Sequence, residues 1–372
     1  MNARRLPTAA GRPLALVAAA LALAACGASA TTSPSAPASR TSASTPAPGG
    51  APAVRRATSR DGRGGRLAQP AASARTAAGE AQTSTATTTV APLPGAGHPP
   101  IELGDKNYTE QFLLGQLYAQ ALEAEGYTVT LNQNIGPVSV TMQALRDGSL
   151  MAYPEYLSTF DEQIAGLRRG FRTVAGAWQA GARWASRNGL VLLNPTPFSD
   201  TGGIAVTDAY ATANHLRTIA DLRTVAVSMT IGGPQQFATD PPGLEQIAEV
   251  YRVTPAAFRP LAIGDQYAAL DAGTVQAADV QTTDGQLATG DYVVLRDPAH
   301  IFGFGNVVPV VTQRALTLEG PAFADTIERV DATLTTAVMR ELNQLVDVAQ
   351  QSPAAVAHQY LETHGLLVPE PY

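Results

Sequence analysis

Cysteine is almost absent. Cys26 is the only one in 372 residues, so no intrachain disulfide can form and no second thiol is available as a nucleophile. Lysine is equally scarce: Lys106 stands alone among 25 basic residues, the rest being arginine. A chain this biased towards arginine that keeps one lysine points to a need for the compact ammonium at that place. The five histidines, His98, His215, His300, His358 and His364, contain no pair at metal-ligand spacing, so no metal site is expected. No Gly-x-Ser-x-Gly elbow is present, Ile231-Gly232-Gly233-Pro234 lacks the residues of a phosphate loop and reads as a loop of the chain's second half, and no internal repeat stands out. No cofactor is implied.

The N-terminus carries Arg4, Arg5 and Arg12 before the apolar run Leu14–Leu23, which is too short to span a bilayer and reads as an export signal. It ends in Leu23-Ala24-Ala25-Cys26-Gly27, which resembles the lipobox of bacterial lipoproteins. That resemblance implies cleavage before Cys26 and lipid attachment to it, placing the protein outside the cytoplasm on the outer face of the cell membrane. Residues 27–99 are rich in Ala, Thr, Ser, Pro and Gly with almost no large apolar side chains, so they read as a disordered tether with an r.m.s. reach on the order of 45 Å. Charge divides there too. The first 100 residues hold ten arginines and two acids, whereas Ile101 onward carries about −14, which argues against nucleic acid as a partner.

From Ile101 the chain alternates short strand candidates with helical stretches, the α/β signature. Strands are expected at 101–103, 128–132, 151–156, 203–206, 224–228, 277–281, 292–295 and 307–312. Helices are expected at 110–125, 173–187, 244–251, 267–272 and, as one long element, 327–350. Trp178 and Trp184 fall in the Ala-rich helix 173–187 and read as packing residues.

Two stretches concentrate polar and aromatic residues at strand ends, where ligands bind in open α/β sheets. Asp105-Lys106-Asn107-Tyr108-Thr109-Glu110-Gln111 leads into the first helix, with Asn107 and Glu110 at capping-box spacing. A helix start beside Lys106, Asn107 and Thr109 suits an anionic or oxygen-rich group. Tyr153-Pro154-Glu155-Tyr156-Leu157-Ser158-Thr159 lies at the end of the strand expected at 151–156.

These two stretches strongly resemble the glycine betaine/carnitine/choline-type, or osmoprotectant, substrate-binding lipoproteins of ABC importers. Leu114–Glu123, Thr283-Asp284-Gly285 and Asn306–Val311 match later landmarks of the same family. The resemblance covers nearly all of 101–372. It implies a two-lobed periplasmic-binding-protein fold, type II-like, with two crossing hinge strands, lobe I being 101–202 with 308–372 and lobe II 203–307. It also implies a monomer that captures a small polar solute between its lobes and delivers it to the membrane-embedded permease subunits. Tyr156 aligns with one tyrosine of a box for quaternary ammonium, and Lys106 and Thr159 align with groups that hold a carboxylate.

The other box positions depart from the family. They fall on Gly202, beside Thr201, on Gln281, three residues before Asp284, and on Gly305, and no arginine lies near Thr239 and Asp240. Glycine betaine is therefore not the expected ligand, and glycines in place of rings suggest room for a bulkier solute, with Tyr108, Tyr153 or Tyr267 as alternative ring faces. An enzyme or a regulatory sensor on the same fold is the alternative, with Glu155 and Asp284 as a conceivable carboxylate pair for hydrolysis.

Overall fold

A computed structural model describes residues 92–167 and 170–367. The export signal, Cys26 and the tether up to residue 91 lie outside the described residues. The last stretch of the expected tether, 92–99, does not stay loose. It turns over the end of the first helix, where the Gly95 amide donates to the Glu125 carbonyl, and His98 reaches the Leu318 carbonyl at 2.8 Å. A side chain at Gly95 would stand 2.4 Å from the Tyr127 amide nitrogen, so only glycine permits this approach.

Lobe I is built on β1 (Ile101–Gly104), β2 (Val129–Asn132), β3 (Ala152–Tyr156), β4 (Leu190–Leu192) and β10 (Val307–Thr312), in the order β2-β1-β3-β10-β4. β1 runs parallel to β2 and β3, while β10 runs antiparallel to β3 and β4. Every residue of β10 is buried, because helices cover both faces of the sheet. Val307 and Val311 pack with α1 (Thr109–Ala124) and the C-terminal helices α8 (Pro321–Asp331) and α10 (Pro353–Thr363). Val308 and Val310 pack on the opposite side with Met142 and Leu145 of α2 (Val138–Asp147) and Ala177 of α3 (Val174–Arg187). The two-residue period of a strand sorts these valines between two cores, each fully buried one contributing about 1.5–3 kcal/mol.

Lobe II repeats the plan. β5 (Gly202–Thr207), β6 (Thr230–Gly233), β7 (Ala257–Pro260), β8 (Ala277–Gln281) and β9 (Tyr292–Leu295) form a second sheet in the order β7-β6-β8-β5-β9. Helices α4 (Asp208–Asn214), α5 (Leu244–Tyr251) and α6 (Gln266–Asp271) accompany it.

Three expectations are corrected. Residues 224–228 are not a strand: short helical turns at Ile219–Thr224 and Ala226–Ser228 occupy that region, started by Thr218 and Asp221, whose carboxylate takes the Thr218 amide, and Val227 is left outside at 88 % exposure. Ile231-Gly232-Gly233 is not a loop but β6, where a side chain at Gly232 would meet Leu261 at 2.6 Å. The expected helix 327–350 is interrupted, because Thr335 caps a new helix, α9 (Thr336–Asn343), by accepting from the Val338 amide; α7 (Gln313–Glu319) precedes α8.

The chain passes between the lobes twice, at 193–201 and 296–306, and the two passages lie side by side. The Asp200 amide donates to the Gly305 carbonyl and the Thr196 amide to the Val307 carbonyl, both at 2.9 Å. The Asn306 amide donates to the carbonyls of Thr196 and Phe198.

Candidate functional site

β3 is buried along its whole length, so its polar groups need partners. Lys106, on the turn after the neighbouring β1, supplies the first: its Nζ lies 2.5 Å from Glu155 Oε2 and 5.6 Å from the centre of the Tyr153 ring. The Tyr153 hydroxyl donates to the same oxygen at 3.0 Å, and the Tyr156 amide donates to Glu155 Oε1 at 2.9 Å. Glu155 is thus fully paired. The ammonium expected to meet an anionic ligand is held by an internal carboxylate of zero exposure.

On the other side of β3, the Tyr156 hydroxyl donates to Glu110 Oε1 at 2.6 Å, and the Asn343 side-chain amide donates to Glu110 Oε2 at 2.9 Å. Asn343 also donates to the Thr283 carbonyl of lobe II. Close by in α9, Arg340 Nε donates to the Thr282 carbonyl. Helix α9 therefore clasps the turn after β8 from lobe I. The expected capping box does not form: α1 begins at Thr109 with Tyr108 as its cap and no side-chain cap bond. Glu110 turns inward to Tyr156 and Asn343, where it is 5 % exposed.

Carboxylates dominate this junction. Burial raises the Glu110 carboxyl above the usual range, against the lowering pull of its bonds to Thr283, Tyr156 and Asn343. Burial raises Asp200 well above its ordinary value, and the charge of Glu110 adds to this. Asp284 is raised by burial, opposed by the Tyr267 hydroxyl, which donates to it at 2.7 Å. Such a group favours the protonated state or an incoming cation.

The remaining expected residues fall in three places. Tyr108 stacks on Tyr156, ring centres 6.0 Å apart, with Asn107 exposed beside it and Thr109 half-buried. Thr159 is half-buried in the helical turn Leu157–Thr159 directly after β3. On lobe II, Gly202 pairs with Gln281 across β5 and β8, the Thr201 amide donates to Thr282 Oγ1, and the Gln281 amide donates to Asp284 Oδ2.

The expectation of free space at the glycines is corrected. A side chain at Gly202 would meet the Phe302 ring at 2.9 Å, and one at Gly305 would overlap the Asp200 carbonyl at 1.6 Å. The ring of Phe302 and the paired crossing segments fill those places. Glu155 and Asp284, the conceivable hydrolytic pair, belong to separate networks. Sequence reasoning missed Asp200, Phe302, Arg340 and Asn343 as parts of the junction. Glu110 lay inside a quoted motif but was given a capping role.

Among the described residues, no group of three or more His, Cys, Asp and Glu side chains is arranged to hold a metal, and no helix is long and apolar enough to cross a membrane.

With this geometry in hand, the likenesses to known proteins are specific. A family model described as the substrate-binding domain of ABC-type glycine betaine transport systems matches residues 99–363. A glycine-betaine-binding protein of Pseudomonas aeruginosa is 30 % identical over 72 % of this chain and 88 % of its own. The glycine betaine-binding protein YehZ of Escherichia coli is 27 % identical over 73 % and 93 %. Among solved structures, a glycine betaine/carnitine/choline ABC transporter protein superposes with a TM-score of 0.68 at 23 % identity, covering 72 % of this chain and 100 % of the other.

Proposed function

The chain belongs to the family of substrate-binding domains of ABC-type glycine betaine transport systems, and we propose that it captures a small polar solute between its lobes as a monomer and delivers it, without turnover, to a permease. It does so as a lipoprotein, tethered by residues 27–91 to a lipid on Cys26 at the outer face of the membrane. The observation that carries the reading is the meeting of residues from both lobes at one junction: Tyr156 and Glu110 from lobe I join Thr283 of lobe II through Asn343. A solute placed there would touch both lobes and so favour the closed arrangement, since a ligand shifts a conformational equilibrium by its difference in affinity for the two states.

The solute is not glycine betaine itself. A betaine carboxylate would compete with Glu155 for Lys106, and a trimethylammonium would find Tyr156 and Tyr108 without the other ring faces of its box, each worth about 0.5–2 kcal/mol. The charge of the junction favours a solute that brings cationic or hydrogen-bond-donating groups. Thr109, Thr159, Thr201 and Gln281 supply polar contacts around it. Equilibrium titration of the purified protein with a panel of polar solutes, followed by recovery of each solute unchanged, tests both the receptor role and the absence of turnover.

A further inference from the structure

β3 carries Tyr156 at one end, opposite Val307 of β10, and Ala152 at the other, opposite Val311; the two ends lie roughly 13 Å apart. At the Ala152 end, where Thr312 pairs with Leu190 of β4, a cavity of about 310 Å³ opens between the C-terminal ends of α2 and α3 and the start of α7, at the lower limit of small-molecule pockets. Its lining contains Arg146 and Arg314 and no acidic residue, on a domain that carries about −14 from Ile101 onward. We propose that this cavity is a ligand site for a small carboxylate on a flat apolar body, of the aryl-acetate class. The inference goes beyond the receptor reading, none of whose residues lines the cavity.

Arg146 stands in the last turn of α2, where a cation suits the helix end. Arg314 stands in the first turn of α7, where the same dipole opposes it, so local helix stability gives no reason for a cation there. Its guanidinium reaches over Gly148, the left-handed residue that closes α2: a side chain at that glycine would stand 3.3 Å from Arg314 Nη1. The second charge is thus brought to the turn directly after Arg146. The ion pairs among the described residues include neither arginine, and Asp147, the acid next in sequence, has its Oδ1 occupied by the Ser149 amide and hydroxyl. Two guanidinium forks without a carboxylate are suited to receive one from a ligand. The acids elsewhere on the domain oppose this little, since salt screens exposed charges beyond about 8 Å. The floor is apolar. Met142, Leu145, Leu150 and Leu190 belong to the core behind it, and half-buried Trp184 stands in the wall with its ring set edge-to-face against Phe160. A flat ring can pack on these groups while its carboxylate meets the arginines.

The test uses indole-3-acetate, its neutral analogue indole-3-acetamide and the cation tryptamine, each titrated calorimetrically into the purified protein and its variants. Indole-3-acetate is expected to bind one per chain, about tenfold or more tighter than the amide or the amine. Arg146→Gln and Arg314→Gln, both at exposed positions, should each weaken it about fivefold or more, and the double variant further still; thermal melts verify that all three variants fold. Binding should persist in Tyr156→Ala. Indole-3-acetate that fails to bind, that binds no tighter than its amide, or that binds the double arginine variant as well as the parent would overturn the site. So would loss of its binding in Tyr156→Ala, which would place it at the junction between the lobes. Each of these results leaves the receptor reading standing, because that reading is tested by solutes held at Tyr156.

Discussion

Asn343 and Glu110 meet through a 2.9 Å hydrogen bond, and the same Asn343 amide donates at 2.9 Å to the Thr283 carbonyl of the other lobe. Asn343 is 4 % exposed, so removing it leaves a carboxylate oxygen and a backbone carbonyl without their donor. Asn343→Ala is expected to lower unfolding free energy by about 1–3 kcal/mol, read as a shifted urea midpoint at unchanged slope. Asn343→Asp should cost more, since it sets a further carboxylate against Glu110. An Asn343→Ala midpoint equal to that of the parent protein would show that the bridge is not made in solution.

Lys106 and Glu155 give a second test. Breaking one side of a buried ion pair is expensive because the other charge stays behind. Lys106→Met should therefore destabilise the fold by about 3–5 kcal/mol, and the double variant Lys106→Met/Glu155→Gln should recover much of that loss. If the single variant costs nothing, the contact between Lys106 and Glu155 contributes nothing to stability in solution.

Stability should fall as pH rises through the neutral range. Burial pushes the carboxyls of Asp105 and Asp161 up to about 7, the Asn134 amide opposing it at Asp105 and Glu162 reinforcing it at Asp161. Burial, with Asp284 as a further cause, does the same at Asp279. Unfolded aspartates titrate near 4, so between about pH 4 and pH 7 the folded chain binds more protons than the unfolded one, and its stability declines over that window. Chemical denaturation at pH 5 and pH 7.5 should show a loss of roughly 1–3 kcal/mol, after allowance for solvent screening. Asp105→Asn should flatten the slope. A protein more stable at pH 7.5 than at pH 5 would contradict this assignment.

Cys26→Ala removes the one candidate lipid attachment point. Expressed in its host, the variant should leave the membrane fraction and appear in soluble form, because a chain without its acyl groups loses about 0.8 kcal/mol for every methylene no longer buried in the bilayer. Unchanged membrane fractionation would mean that something other than a lipid holds the protein there.

Where local pattern decided structure, the sequence was a good guide. The buried run Val307-Val308-Pro309-Val310-Val311 announced its strand, and the adjacency of β1 and β3 brings Lys106 to Tyr153 and Glu155, while the Tyr156 side chain lies on the other side of β3. What stayed illegible depends on distant packing. Gly202 and Gly305 looked like vacated ring positions, yet Phe302 and the Asp200 carbonyl, set by the pairing of the two crossing segments, occupy the space. Glu110 had the spacing of a cap, but a buried tyrosine hydroxyl and an amide from α9 were its stronger partners. Asn343 carries no local signal, because its role arises only when the C-terminal helices fold back across the junction. Thr335 broke the expected long helix through a side-chain cap that competes with continuation of the backbone ladder.

The most direct test of the account is a calorimetric titration of the purified protein and of Tyr156→Ala with glycine betaine, choline, carnitine and a set of larger polar cations. The account predicts saturable binding of one solute per chain that is lost in Tyr156→Ala, with glycine betaine and choline at least one power of ten weaker than the preferred solute, as the missing ring faces require. Micromolar binding of glycine betaine, abolished by Tyr156→Ala, would contradict it and show that tyrosines such as Tyr108 and Tyr153 complete the box.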